Sequence, residues 1–355
     1  MQSDKKSSVI IIPVLNPDAN LNAYIGQLID QGFIRILVVN DGSDASLQHR
    51  FDEIGKRPEC TILTHEKNQG KGKALKDALK YYQAEGLAEE YEGVITVDAD
   101  GQHAVDDVIA VSGQLRENRE ELILGERAFD GNVPFRSRFG NNCTKYIFRL
   151  LYGQNISDTQ TGLRGIPNKW IPDFMELEGD RYEYEMNMLI ACSRKKIPVK
   201  SVGIRTIYLE ENSSSHFHPI KDSWKIYKLI IKNFFTFMLS SLSASIIDIG
   251  LFQLLIILLR GGAGKYYIAV ATVVARIISS FYNFTVNHKL VFKSDHSVRQ
   301  TIIRYYCLCV VQMALSAAFV TVGYQIFPLP EIIVKIIVDT LLFVISYRVQ
   351  KGFVF

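Results

Sequence analysis

The chain has 355 residues, which is enough for two domains. Its formal net charge of +3 is too small to indicate nucleic acid as the main partner. Its five cysteines lack metal-ligand spacing, and an odd number without a framework fits a reducing compartment. Most charged residues lie within 1–230, whereas 233–350 contains long apolar stretches. The sequence therefore predicts a polar domain followed by a membrane domain.

Apolar, β-branched runs alternate with helix-like segments through the first part of the chain. The runs that predict buried strands are 8–15, 34–40, 60–64, 93–98 and 121–125. The segments that predict helices between them are 18–30, 44–55, 71–85 and 104–116. This alternation is typical of βαβ units, so we expect an α/β domain with a mostly parallel sheet. Ligands of such sheets bind at the carboxyl ends of the strands.

The remainder of the polar part is predicted to end at the membrane surface. Helices are expected over 137–152 and 182–195, and an extended segment over 197–208. Residues 219–232 carry four lysines beside a tryptophan and a tyrosine, which is typical of a helix lying on a membrane. The N-terminal apolar run is too short for a signal peptide, so we expect this part to stay in the cytoplasm.

Residues 233–355 are predicted to contain four transmembrane helices. The spans are expected near 234–258, 266–286, 304–326 and 331–349, because about 20 apolar residues cross a bilayer core. Basic residues between the second and third spans and near the C-terminus place both termini in the cytoplasm by the positive-inside rule. Asp248 and Arg276 lie within spans, where a charge needs a partner or a task, and pairing with each other is favoured over a direct role.

A weak internal repeat relates two halves of the membrane part. Residues 243–251 align with 316–324, and residues 281–292 align with 344–355. Each half is then a hairpin of two spans that ends in Val-Phe. A chance match of short apolar strings is the alternative.

The sequence DADGQH (98–103) follows the fourth predicted strand. Two carboxylates one residue apart can share a divalent cation, and oxygen ligands suit Mg²⁺ or Mn²⁺, which keep waters and bridge phosphates. Acids also occur at such positions as helix caps, and those at 106–107 are better explained as first-turn acids of the next helix. We predict Asp98, Asp100 and Gln102 as metal ligands.

Two further strand ends carry candidate nucleotide-binding residues. Asp41, in VVNDGSD, can accept a hydrogen bond from a nucleobase, and the alternative role of capping the next helix can be filled by Ser43 and Asp44. The segment NQGKGKA (68–74) contains Gly72 and Lys73 at a helix start, where N–H groups favour an anion. It lacks the Walker pattern, so contact with the nucleotide stays open. The residues expected across the base are Pro13, Leu15 and Asn16.

Arg127, Arg136 and Arg138 flank the loop FDGNVPF (129–135). Guanidinium groups suit a phosphate-bearing acceptor because they bind phosphate oxygens in pairs. The alternative is that these are surface arginines at a helix start. A functional role is favoured for Arg127 and for one of the other two.

Together, PVLN, VVNDGSD, NQGKGKAL, VDADGQH, GER and DTQTGLRGIP resemble the family 2 glycosyltransferases of GT-A fold. Within that family they are similar to the polyprenyl-phosphate branch, which includes dolichyl-phosphate mannose synthase and the GtrB-like enzymes. The resemblance covers about residues 7–215. Residues 233–355 resemble a GtrA-like membrane domain, whose aromatic-Asn tail motif is matched by FYNFTVNHKLVF. The implied domains are 1–218, a juxtamembrane helix over 219–232, and 233–355.

The resemblance implies an inverting, metal-dependent transfer of a hexose from a nucleotide-sugar to undecaprenyl or dolichyl phosphate, for cell-envelope or glycan modification. Residues implied in catalysis are Asp98, Asp100, Arg127 and Asp158. Residues implied in binding the nucleotide-sugar are Pro13, Leu15, Asn16, Asp41, Gly72, Lys73, Asp98, Ala99 and Asp100. Residues implied in binding the acceptor phosphate are Arg127, Arg136, Arg138, Thr161 and His216.

The chain departs from the family pattern at three places. Position 17 is Pro where an acid is frequent, and position 126 is Glu where a small residue is frequent. The loop expected to close over the donor, 211–218, offers His216 and His218 instead of an Arg or Lys pair.

Other functions fit parts of the sequence. A processive polysaccharide synthase shares the early motifs, but neither Trp170 nor Trp224 lies in a Gln-x-x-Arg-Trp motif. A lipid-linked sugar flippase with a regulatory first domain fits the membrane part, but the intact metal and nucleotide motifs argue against it. Transfer to a protein or a diacylglycerol stays open. UDP-glucose and UDP-N-acetylhexosamine are favoured over GDP-mannose, and homo-oligomer formation is undecided.

Overall fold

The computed structural model describes residues 7–127, 135–154, 156–205, 219–259, 267–292, 294, 296–326 and 329–355. Within these ranges only the backbone is described for 135–143, 219–227, 229–230, 267, 269, 324 and 331–332. The chain divides into two compact units, Met1–Lys228 and Leu229–Phe355.

Seven strands form a single sheet in the described part of the first unit. They are β1 (Ser8–Val14), β2 (Ile36–Asn40), β3 (Cys60–Thr64), β4 (Gly93–Thr96), β5 (Leu122–Arg127), β6 (Arg164–Pro167) and β7 (Val199–Ile204). Their order in the sheet is β3-β2-β1-β4-β6-β5-β7. All neighbours are parallel except β6, which is antiparallel to β4 and to β5.

Helices connect the parallel strands. They are α1 (Leu21–Asp30), α2 (Gln48–Gly55), α3 (Lys71–Ala84), α4 (Leu87–Glu90), α5 (Val105–Glu117), α6 (Phe135–Tyr152), α7 (Ile171–Met175) and α8 (Glu183–Lys195). Strands β2 and β4 are buried along their whole length, and β1 is buried at every residue except Pro13, as continuous apolar runs require in a parallel sheet. The core between the sheet and α1, α2 and α5 is built from the apolar side chains of these runs.

The predicted α/β domain with a mostly parallel sheet is confirmed. The five predicted strands correspond to β1–β5. Strand β6 was not predicted, because its four residues, RGIP, include a glycine and a proline and show no apolar alternation. Proline is compatible with this position because Pro167 is the last residue of the strand.

The second unit is helical. Its helices are α9 (Pro219–Leu259), whose residues up to Lys228 belong to the first unit, α10 (Tyr267–Val286), α11 (Val298–Ile326) and α12 (Glu331–Val349). The segments Ile231–Leu259 and Val298–Gly323, with mean hydropathies of 2.3 and 1.8, are long and apolar enough to cross a membrane. Helices α10 and α12 lie at the other two predicted spans.

Helix α9 differs from the sequence-based expectation. It runs for 41 residues without a break, so the predicted separate surface helix over 219–232 is the first part of one long helix. The reason is local, because Pro219 is its first residue and no glycine or further proline occurs before Gly250.

The two halves of the second unit end alike. Helices α10 and α12 each pass into a π-helical turn, Asn287–Val291 and Gln350–Val354. Asn287 and Gln350, which the repeat aligns, are buried and joined by a 3.1 Å hydrogen bond between Nδ2 and Oε1. The aligned rings of Phe292 and Phe355 stack at 5.2 Å. Contacts between equivalent residues are those of a two-fold arrangement, which supports the repeat.

The predicted pairing of Asp248 with Arg276 is confirmed. Arg276 Nη2 lies 3.2 Å from Asp248 Oδ2, and Ser279 donates a 2.8 Å hydrogen bond to the other carboxylate oxygen. The acid of α9 is therefore satisfied by two side chains of α10, which lowers the cost of a charge within a span.

Candidate active site

The carboxyl ends of three neighbouring parallel strands meet at one edge of the sheet. The register pairs Val14 with Asn40 and Ile11 with Thr96, so the residues after β1, β2 and β4 come together. A cleft of about 200 Å³ opens there. It is lined by Pro13, Val14, Leu15, Asp41, Asn68, Gly70, Lys71, Asp98, Ala99, Asp100, Arg181 and Tyr182. The cleft thus contains six of the predicted nucleotide-sugar residues, and these include both carboxylates of the metal motif.

Asp41 holds the loop before α3 as well as lining the cleft. It is 3 % exposed, and its Oδ1 accepts hydrogen bonds from Gln69 N (2.8 Å) and His65 Nδ1 (2.7 Å). Its Oδ2 accepts one from Gly70 N at 2.8 Å. A carboxylate offers about four acceptor sites, so one remains for a ligand. The expected capping role indeed falls to Asp44, which accepts from Ser46 N.

The glycine-rich segment reaches the cleft through a residue that the sequence did not single out. Gly72 is buried, and a Cβ there would lie 2.5 Å from Tyr184 Cβ, so this glycine allows α3 to pack against the start of α8. Lys73 extends to Asp77 at 2.7 Å. Neither lines the cleft among the described residues, whereas Lys71 does.

Asn16 connects two loops. Its backbone has a φ of +51°, its N–H donates to Ser43 Oγ, and its side-chain oxygen accepts from Asp44 N, both at 2.9 Å. It does not line the cleft, although its neighbours Pro13 and Leu15 do. Its structural contribution is to fix the β1 loop against the β2 loop.

Asp98 is held by two cationic or polar partners. Lys71 Nζ lies 2.6 Å from its Oδ1, and His103 Nε2 lies 3.5 Å from its Oδ2. Burial opposes ionisation of Asp98, but Lys71 and then His103 outweigh it and hold the pKa well below its usual value. Burial alone would lower the pKa of Lys71, and the carboxylates of Asp98 and Glu185 instead raise it.

Asp100 is in the opposite electrostatic situation. Burial, and after it the charge of Asp98, raises its pKa above the ordinary value. Its Oδ1 accepts one hydrogen bond, from Gln102 N at 3.1 Å. A second positive charge at this point would therefore relieve the repulsion between the two carboxylates.

The donor set suits a hard divalent cation that also binds substrate. Asp98 and Asp100 supply carboxylate oxygens to the cleft. Among the described residues there is no group of three or more His, Cys, Asp or Glu side chains placed to hold a metal ion. Mg²⁺ and Mn²⁺ are commonly held by one or two carboxylates, with waters and phosphates completing the coordination. The amide of Gln102, the third predicted ligand, is half-buried beside them.

Arg127 and Asp158 form a bidentate pair. Arg127 Nε and Nη2 donate to the two oxygens of Asp158 at 2.6 and 3.0 Å, and the Asp158 side chain is fully buried. The predicted catalytic role of Asp158 is thereby limited, because its oxygens orient Arg127 and also accept from Gln160 N. Neither residue is among those lining the cleft in the described part of the chain.

One turn links this pair to the metal motif. In the 158–163 turn, Asp158 holds Arg127, and Gly162 packs directly against the Asp98 carboxylate. Thr161 is 1 % exposed, and its Oγ1 accepts from Leu163 N at 3.3 Å. Thr161 therefore shapes the turn from inside. The side chains of Arg136 and Arg138, and all of His216, lie outside the described residues.

Replacing Arg127 by lysine is expected to reduce turnover by about 100-fold, the effect of removing one well-placed donor. A lysine ammonium cannot make both parallel bonds to Asp158, so the cation would lose its fixed position. Initial rates with varied donor and acceptor check this, with Arg149→Lys on the exposed face of α6 as the matched control. Unchanged turnover in Arg127→Lys would remove Arg127 from the mechanism.

Sequence reasoning missed Val14, Asn68, Gly70, Lys71, Arg181 and Tyr182 among the cleft residues. Gly70 and Lys71 belong to the NQGKGKA segment in which Gly72 and Lys73 were predicted to bind the nucleotide. Which of these four residues line the cleft depends on the direction in which α3 begins. Arg181 and Tyr182 immediately precede α8, and no motif in the sequence marks them.

Comparison with known protein families identifies the chain as a glycosyltransferase. Residues 9–173 match the family described as Glycosyl transferase family 2. Residues 228–355 match the family described as GtrA/DPMS, transmembrane domain. The chain therefore combines a family 2 glycosyltransferase domain of GT-A fold with a GtrA/DPMS transmembrane domain, and it is a membrane protein.

Known proteins resemble part of the chain. An uncharacterized protein of Methanocaldococcus jannaschii is 29 % identical over 237 residues, which are 65 % of this chain and 94 % of that protein. The UDP-N-acetylglucosamine–dolichyl-phosphate N-acetylglucosaminyltransferase of Methanococcus voltae is 28 % identical over 219 residues, 57 % of this chain and 86 % of that enzyme. Glucosyl-3-phosphoglycerate synthase from Mycobacterium tuberculosis superimposes with a TM-score of 0.48 at 14 % identity, covering 64 % and 78 %.

Proposed function

We propose that the chain transfers one hexose from a nucleotide-sugar to a polyprenyl phosphate, with inversion and with Mg²⁺ or Mn²⁺. The main support is that Asp98 and Asp100 lie together in a cleft at the strand ends. The 158–163 turn connects Asp98 to Arg127, whose side chain is fixed by Asp158. UDP-N-acetylhexosamine or UDP-glucose is the proposed donor, and undecaprenyl or dolichyl phosphate the acceptor. The activity for which the Methanococcus voltae relative is named supports both the donor class and the lipid acceptor.

The acceptor needs no strong base. A phosphate monoester is already anionic near neutral pH, because its second pKa is about 6. One of its oxygens would attack the anomeric carbon as the bond from that carbon to the nucleoside diphosphate breaks. The absence of a base requirement agrees with the contacts of Asp158. Its oxygens accept hydrogen bonds from Arg127, so Asp158 is placed to orient that guanidinium and not to remove a proton.

The cleft must bind the nucleoside diphosphate that leaves and stabilise its negative charge. Asp98, Asp100 and Gln102 would hold the metal, which when bound supplies positive charge to the departing diphosphate. Pro13, Leu15, Asp41 and Ala99 would surround the nucleoside and its ribose. Arg127, with Arg136 or Arg138, would bind the lipid phosphate and hold it in line with the breaking bond.

The proposed location follows from the positive-inside rule. The glycosyltransferase domain and both termini face the cytoplasm, where nucleotide-sugars are made, and four spans anchor the chain in the cell membrane. The lipid phosphate would then meet the cleft at the cytoplasmic surface.

The test is transfer by the full-length chain in detergent, supplied with undecaprenyl phosphate and radiolabelled UDP-N-acetylglucosamine, UDP-glucose or GDP-mannose in turn. A lipid-soluble product with one sugar per phosphate is expected with a UDP-sugar. Excess EDTA should abolish it, and added Mn²⁺ or Mg²⁺ should restore it. Product formation in EDTA would exclude the metal, and the absence of product from all three donors would contradict their transfer to undecaprenyl phosphate.

A further inference from the structure

Lys71 bridges two acids from distant parts of the chain. Its Nζ lies 2.6 Å from Asp98 Oδ1 and 3.0 Å from Glu185 Oε1. Glu185 is 114 residues away in sequence and belongs to the first turn of α8. The Glu185 side chain is 9 % exposed and that of Lys71 is 17 % exposed, so the pair lies mostly out of water.

Glu185 is held at this point by the fold. Its backbone oxygen accepts a 2.7 Å hydrogen bond from Arg164 Nη1, and Arg164 Nε donates to Thr161 O at 3.0 Å. Arg164 is 1 % exposed. The buried guanidinium therefore connects α8 with the 158–163 turn, whose Gly162 packs against Asp98. Glu185 and Asp98 are thus positioned on either side of Lys71 by one continuous set of contacts.

Because two carboxylates share the Lys71 ammonium, breaking its ion pair with Asp98 costs less free energy. An ammonium that contacts a single carboxylate loses its whole pairing when that carboxylate is taken by another cation. A Lys71 ammonium that also contacts Glu185 keeps a partner, and a buried charge without a partner is costly. Lysine suits this arrangement because its ammonium is a point charge on a flexible stem.

We propose that Glu185 is a positioning residue that retains Lys71 when Asp98 takes part in binding a divalent cation. Lys71 neutralises Asp98 in the cation-free protein, and Glu185 keeps the ammonium beside the cleft after Asp98 is released. The proposal rests on the metal-dependent function given above and adds the residue that makes Asp98 available. No bond is made or broken in this step, and only ionic contacts are exchanged.

The experiment measures Mn²⁺ binding to the full-length chain in detergent, without donor or acceptor, by the loss of the free Mn²⁺ electron paramagnetic resonance signal. Glu185→Gln is expected to raise the dissociation constant about tenfold, because Lys71 then pairs with Asp98 alone. Glu176→Gln removes the same charge from the exposed end of α7 and should leave the constant unchanged.

A second substitution separates positioning from general electrostatics. Lys71→Ala removes the competing ammonium, so the effect of Glu185→Gln on Mn²⁺ binding should vanish in the double variant. Independent effects would add instead. The proposal is overturned if Glu185→Gln binds Mn²⁺ like the wild type, or if its tenfold effect persists without Lys71.

Charge and packing are distinguished by Glu185→Asp, with thermal melts verifying that each variant is folded. The shorter acid keeps the charge and should shift the constant less than Glu185→Gln, whereas equal shifts would mean that packing is responsible and would overturn the proposal. Because the readout uses Mn²⁺ alone, it is independent of whether the acceptor is a polyprenyl phosphate.

Discussion

Replacing Asp100 by asparagine is expected to lower transfer by about 1,000-fold, which corresponds to about 4 kcal/mol of transition-state stabilisation. Asp100 is the carboxylate of the pair that has no cationic partner of the kind that Lys71 provides for Asp98 within the described residues. Its removal takes away a charged oxygen ligand and leaves an amide of the same shape. Turnover at saturating donor and Mn²⁺ is the measurement.

The stability of the same variant gives the second half of this prediction. Burial, and after it the charge of Asp98, raises the pKa of Asp100, so above the usual pKa of an aspartate the folded state gains less from ionising this group than the unfolded state does. Without metal, Asp100→Asn should therefore melt at the same temperature as the wild type or higher. Asp106→Asn is the control, since that acid makes an exposed ion pair with Arg205 and should keep full activity. Wild-type turnover in Asp100→Asn would refute the metal assignment.

The sheet and the metal motif could be predicted because each depends on residues that are close together in the sequence. Strands β1–β5 each contain one of the predominantly apolar runs of the sequence, and a parallel sheet brings the ends of such runs to one edge. Asp98 and Asp100 directly follow one run, so their arrival in the cleft needed no knowledge of tertiary contacts.

The parts that the sequence did not predict depend on contacts between distant residues. Lys71 and Lys73 are separated by one residue in the same helix start, and the direction in which α3 begins places Lys71 beside Asp98 and Lys73 beside Asp77. Glu185, the partner of Lys71 on α8, could not be predicted, because nothing in a single sequence relates position 71 to position 185.

Asp41 shows a second limit. Its place after β2 was predicted, and it lines the cleft, but three of its hydrogen bonds go to the protein itself. A carboxylate at a strand end is equally suited to binding a base and to fixing a neighbouring loop, and the residue type does not separate the two. The acceptor-phosphate roles assigned to Arg136, Arg138 and His216 stay predictions.

Changing Gly162 to alanine is expected to reduce transfer by about 100-fold, the effect that a displacement of about 1 Å has on a reacting group. An alanine Cβ would lie 2.6 Å from Asp98 Cγ and overlap the carboxylate. The turn cannot retreat, because Thr96 Oγ1 donates to Gly162 O at 2.7 Å and Gly125 N donates to Leu163 O at 2.9 Å. Asp98 must move instead, away from its place beside Lys71.

Thermal melts and turnover together identify this displacement. Gly162→Ala should lose about 1–3 kcal/mol of folding stability through overpacking. Gly113→Ala, on α5, adds a Cβ with no atom within 4 Å and should be active and up to about 1 kcal/mol more stable. In the double variant with Asp98→Ala the overlapping carboxylate is gone, so the melting temperature should return to that of Asp98→Ala while transfer stays absent. If Gly162→Ala alone kept full turnover, the position of Asp98 would not matter to the reaction, since the two side chains cannot occupy the same space.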